Sequence, residues 1–134
     1  ETGSLTMDIR SREVGTQIED LLRSRKGRVD AIYFIPAFNA QFIETLERVG
    51  PHDALVVLND LDSSAGQFLG RNPYAAVIYQ NPVLQGYYAV KILENLLESG
   101  HPPGIRQVNI THSLLLNENK DLNRNHYLFT GMLE

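Results

Sequence analysis

The sequence contains no cysteine. That excludes disulfides, thiolate catalysis and Cys-type metal sites, and it leaves the compartment open. No apolar run approaches the roughly 20 residues of a membrane-spanning helix. An excess of positive charge is missing too: 12 Lys and Arg against 16 Asp and Glu give a net charge of −4. Gripping nucleic acid by its phosphates takes a basic face, so this piece is not expected to do so itself. The opening ETGSL has neither an initiator Met nor the basic and apolar regions of a signal peptide. It reads as a fragment of a longer chain. The sequence has no G-x-S-x-G elbow, no P-loop lysine motif and no G-x-G-x-x-G. The four histidines, His52, His101, His112 and His126, are scattered without ligand spacing. No metal, cofactor or enzymatic activity is therefore expected.

What is present is a regular alternation. At 134 residues with 43% hydrophobic content, the chain is one domain's worth of material with enough for a core. Five strand-like runs alternate with four helical ones. The strand candidates are Ser4–Ile9, Val29–Pro36, Ala54–Leu58, Ala75–Tyr79 and Arg106–Leu116. Ser11 is a candidate N-cap for the first helix, whose stripe is Val14, Ile18, Leu21 and Leu22. The second stripe is Phe38, Phe42, Ile43, Leu46 and Val49, stopped by Gly50-Pro51. Asp62-Ser63-Ser64 can cap a short helix over Ala65–Leu69, and Asn81-Pro82 opens a long one to Leu97. This order predicts an α/β fold: a three-layer sandwich with a central parallel sheet built from right-handed βαβ units.

Polar residues collect where the strands end: Asp8 and Arg10, then Asn59 and Asp60, then Gln80 and Asn81. In open α/β sheets ligands bind outside the carboxyl ends of the strands. A carboxylate and an amide on neighbouring strand ends suit a polyhydroxylated ligand, since Asp accepts from hydroxyls and Gln both accepts and donates. The competing roles are structural: Asp60 capping the helix that follows, and Gln80 tying down its loop. Asp60 with Asp62 also has the look of a Mg²⁺ carboxylate pair, but the lysine and Ser/Thr that a phosphoryl-transfer receiver needs at later strand ends are absent.

ALVVLND (Ala54–Asp60) and AAVIYQNPVLQGYYAVKILENLL (Ala75–Leu97) carry a resemblance, supported by SREVGTQIEDLL with VDAIYFI and by NENK (Asn117–Lys120). Over roughly residues 3–119 the chain resembles the C-terminal subdomain of the type 1 periplasmic-binding fold. LacI-type transcription regulators and ribose- and galactose-binding proteins share that fold. The resemblance implies one half of a two-subdomain protein, with residues 1–119 as an effector-binding subdomain and 120–134 as an unassigned tail. It implies that Asp60 and Gln80 hydrogen-bond sugar hydroxyls and that Arg10 lines the pocket. Asn39 stands in for the asparagine that usually ends the family's second strand; here that strand ends Ile35-Pro36. It also implies a homodimer through Phe38, Phe42, Phe68 and Leu69.

Two functions follow from the resemblance. The first is the ligand-binding and dimerisation subdomain of a LacI-type regulator. Such a protein is cytoplasmic, senses a sugar or similar metabolite, and touches DNA only through a helix-turn-helix that this chain does not contain. The second is a periplasmic sugar-binding or sensor protein. The apolar dimer candidates and the NENK exit favour the first. An enzyme on a similar sheet lacks a nucleophile, an acid–base pair and a phosphate loop. No membrane partner is expected.

Overall fold

The computed structural model describes residues 14–25, 29–36, 39–102, 104 and 107–120. Eight elements alternate: α1 (Val14–Ser24), β1 (Ala31–Phe34), α2 (Asn39–Val49), β2 (Leu55–Asn59), α3 (Ser63–Arg71), β3 (Ala75–Tyr79), α4 (Pro82–Ser99) and β4 (Ser113–Leu115). The fold is α/β, with a four-stranded sheet in the order β1-β2-β3-β4 flanked by helices. β1, β2 and β3 are parallel, as expected. β4 corrects the expectation of a wholly parallel sheet. It spans only three residues of the predicted run and pairs antiparallel with β3, Val77 against Leu115. The strand candidate Ser4–Ile9 and the Ser11 cap lie outside the described residues.

One face of the sheet carries the core. Strand side chains alternate between faces, and the register brings Phe34, Leu58, Val77 and Leu115 into one row, with Val56 and Ala75 beside them. Helices α1, α2 and α3 cover that row with Val14, Ile18 and Leu22, with Phe42, Ile43 and Leu46, and with Ala65, Phe68 and Leu69. Phe34 and Phe42 stack at 4.1 Å between ring centroids, fastening α2 to β1. On α1, Glu19 pairs with Arg23 one turn on and reaches Arg48 of α2. These two guanidiniums, Arg23 foremost through its hydrogen bond, hold the Glu19 carboxyl below the usual carboxylate range.

The opposite face is different. Tyr33, Leu55 and Leu114 are all exposed on it. Helix α4 contributes nothing to the core: none of its 18 residues is buried, although Val83, Val90, Leu93 and Leu97 are all apolar. Its limits match the sequence pattern. Asn81 caps it, Pro82 begins it, and Gly100 ends it with φ 67, a left-handed conformation that glycine adopts without strain.

Candidate functional site

The carboxyl ends of β2 and β3 lie side by side. Asn59 is in register with Ile78, and the Asp60 amide donates to the Ile78 carbonyl at 2.9 Å. Asp60 therefore leaves β2 next to the point where Gln80 and Asn81 leave β3. Both exits are sharp. Asp60 has φ 60 and Asn81 φ 54, and these are the two non-glycine residues with positive φ among the described residues. Such backbone costs free energy and concentrates at functional sites; asparagine and aspartate bear it best.

The structural roles proposed for Asp60 and Gln80 fall to their neighbours. Asp62, not Asp60, caps α3: its Oδ1 accepts from the Ala65 amide at 2.7 Å. Asn81 caps α4, accepting from the Leu84 amide at 3.1 Å. Gln85 steadies the loop by donating from Nε2 to the Gln80 carbonyl at 2.6 Å, while its own amide donates to the Asn81 carbonyl. The Gln80 backbone is thus held, and among the described residues its side-chain amide makes no hydrogen bond. Asp60 keeps a carboxylate oxygen, Oδ1, that is buried and, among the described residues, without a partner. Two polar side chains thus stand half-buried on adjacent strand ends with unused hydrogen-bonding capacity.

Asn39 also belongs to this edge, in a supporting position. It is fully buried at the start of α2. Its Nδ2 donates to the carbonyls of Asn59 and Asp60 at 3.1 and 3.2 Å and to Asp62 Oδ2 at 3.3 Å. It fixes the turn that presents Asp60. Asn59 laces β1 to β2, donating to the Ile35 carbonyl at 3.0 Å and accepting from the Tyr33 hydroxyl at 3.3 Å. Arg10 and Phe38 lie outside the described residues. Asn81 was legible in the sequence as a cap; its burial and its unpartnered Nδ2 were not.

Of the residues expected at a dimer contact, Phe42, Phe68 and Leu69 face inward and are at most 4% exposed. They hold α2 and α3 against the sheet, so in this fold they present no apolar surface to a second copy. The Asp60–Asp62 carboxylates do not form a metal pair either, since Asp62 is engaged by Ala65 and Asn39. No group of three or more metal-ligating side chains exists among the described residues. Two depressions, of about 320 and 240 Å³, lie at the amino end of β3 around Asn72 and Pro73, across the sheet from Asp60 and Gln80. Among the described residues, no helix is long and apolar enough to cross a membrane.

The fold is similar to that of a solved protein described as a LacI transcriptional regulator from Bacteroides fragilis. The two share 22% sequence identity and a TM-score of 0.70 over 82% of this chain. The present chain spans only 37% of that protein's length. No protein-family model and no curated protein matches the sequence.

Proposed function

We propose that the chain is the ligand-binding subdomain of a LacI-type transcription regulator that senses a sugar or similar small metabolite. One observation carries the reading. Asp60 and Gln80 sit on adjacent strand ends with side-chain groups that no local structural role uses, in a fold similar to that of a protein described as such a regulator. Asp60 accepts from ligand hydroxyls, Gln80 accepts and donates, and Asn39 sets the Asp60 turn from behind. Arg10 is a further proposed contact. The ligand lies in a cleft whose second wall belongs to the rest of a longer protein, and effector binding shifts the balance between open and closed arrangements of the two walls. The regulator acts as a homodimer in this reading. DNA contact belongs to a separate helix-turn-helix.

The test is a sugar panel read by calorimetry on the longer protein, with Asp60→Ala and Gln80→Ala as controls. Binding of one sugar, weakened at least tenfold by each substitution, supports the reading. Binding unaffected by both substitutions refutes the site. Sedimentation showing only monomers of the longer protein removes the dimer.

A further inference from the structure

The three parallel strands end side by side, and their ends are not alike. β2 and β3 lead into the polar side chains of Asp60 and Gln80, whereas β1 leads into Ile35 and Pro36. The register pairs Phe34 with Leu58, which sets Ile35 beside Asn59, one residue before Asp60. A hydrogen bond fixes this placing: Asn59 Nδ2 donates to the Ile35 carbonyl at 3.0 Å. Side chains alternate between the faces of a strand. Phe34 is in the core, so Tyr33 and Ile35 share the opposite face, where they are 55% and 63% exposed. The polar groups nearest to Ile35 are already engaged. Its carbonyl accepts from Asn59, and the Asn59 side-chain oxygen accepts from the Tyr33 hydroxyl at 3.3 Å. Pro36 has no N–H to donate. Beside Asp60 the edge therefore offers apolar surface and little hydrogen bonding.

We propose that the ligand of this edge is not a bare sugar but a glycoside, or a comparable polyol, carrying an apolar substituent, and that Ile35 selects for it. The inference rests on the reading of Asp60 and Gln80 given above. Neighbouring strands lie about 4.8 Å apart. The hydroxyls of one sugar ring bridge β2 and β3. One further strand spacing, from Asp60 towards β1, brings the substituent over Ile35, with the Tyr33 ring on the same face of the strand. Burying apolar surface there is favourable. A hydroxyl over Ile35 instead gives up water without gaining a partner. A phenyl or alkyl group is thus favoured at this end, and a further polar ring substituent is not.

Calorimetry on the longer protein tests the selection. The probes are D-glucose, D-galactose and D-ribose, each beside its phenyl β-glycoside, and the proteins are the parent, Ile35→Asn and Asp60→Ala. Ile35→Asn places a donor and an acceptor at the end of β1. Its Tm is expected to hold, because the side chain is mostly exposed. At least one phenyl glycoside is expected to bind the parent at least tenfold more tightly than its free sugar. Ile35→Asn removes most of that ratio, and Asp60→Ala weakens sugar and glycoside alike. Free sugars that bind the parent as tightly as their glycosides overturn the role of Ile35, as does a ratio that Ile35→Asn leaves unchanged; in both cases weakening by Asp60→Ala still upholds the site. Glycoside binding that Asp60→Ala leaves intact, or six probes that all fail to bind, refutes the site itself and this inference with it.

Discussion

At the residue scale, small offsets decide which side chain is structural and which is free. Asp60 and Asp62 are chemically identical, and the sequence leaves either able to cap the helix that follows. An N-cap oxygen must reach the amide two or three residues on. In the folded chain Asp62 meets that condition at Ala65, three residues ahead. Substituting Asp62→Ala removes both this cap and an acceptor of the buried Asn39 amide. The expected loss is about 1–2 kcal/mol, read as a lower urea midpoint with an unchanged slope; Asp62→Asn, which keeps an acceptor oxygen, should recover most of it. A loss as large in Asp60→Asn as in Asp62→Ala would mean that Asp60 carries structural weight not visible in its contacts. The same scale bears on the residues expected at a dimer contact, not on the dimer itself. Phe68 at 3% exposure is core, so Phe68→Glu buries an unpaired charge and unfolds the domain. Apolar side chains on short helices look alike in sequence whether they face a sheet or a partner, and only the direction of the helix tells them apart.

At the scale of elements, the sequence defines α4 by its ends but says nothing of its exposure. Asn81-Pro82 and Gly100 mark the limits because capping chemistry is local. Whether an apolar helix is covered depends on what lies across from it, and no local pattern records that. A helix apolar on most of its circumference is normally buried; α4 is not. Its amides should therefore exchange with solvent well before those of β2 and β3, whose Val56, Leu58 and Val77 are fully enclosed. Hydrogen exchange that finds α4 as protected as β3 would show that something covers it. The pairing of α1 with α2 carries its own pH signature. The Glu19 carboxyl is held low chiefly by Arg23 and then by Arg48. A group whose folded value is depressed stabilises the fold above its ordinary range and loses that contribution as pH falls through the folded value. Acid unfolding followed below about pH 4.3 should thus be shallower in Glu19→Gln than in the parent. Identical acid limbs would mean that the exposed arginines are screened by solvent.

At the scale of the whole molecule, the α/β class and three parallel strands were legible because Val29–Pro36, Ala54–Leu58 and Ala75–Tyr79 are strongly apolar runs separated by amphipathic helices. The antiparallel β4 was not legible. Arg106–Leu116 alternates at first and then becomes continuously apolar, a mixed pattern that does not fix direction, which depends on the path of the connection. Asp60 and Gln80 were legible as strand-end residues; the unpaired buried atoms beside them depend on packing, which spacing alone does not specify. The arrangement that results is a ledge, with Asp60 and Gln80 at the sheet's carboxyl edge and the two depressions at the far end. A ledge has an energetic consequence. Hydrogen bonds to a charged group contribute about 1.5–3 kcal/mol and neutral ones about 1 kcal/mol, whereas immobilising a ligand costs at least about 4 kcal/mol. Two contacting side chains on one wall thus leave little net affinity, and a ligand site normally encloses most of its ligand. Calorimetry of the 134-residue chain alone should give dissociation constants no tighter than about 1 mM, equivalent to roughly 4 kcal/mol, for any monosaccharide. Under the proposed function, a longer protein that supplies the second wall should bind the right one at least a hundredfold more tightly, and Asp60→Ala should abolish that gain. Micromolar binding by the isolated chain would mean that this edge is a complete site, and the two-walled cleft would have to be abandoned.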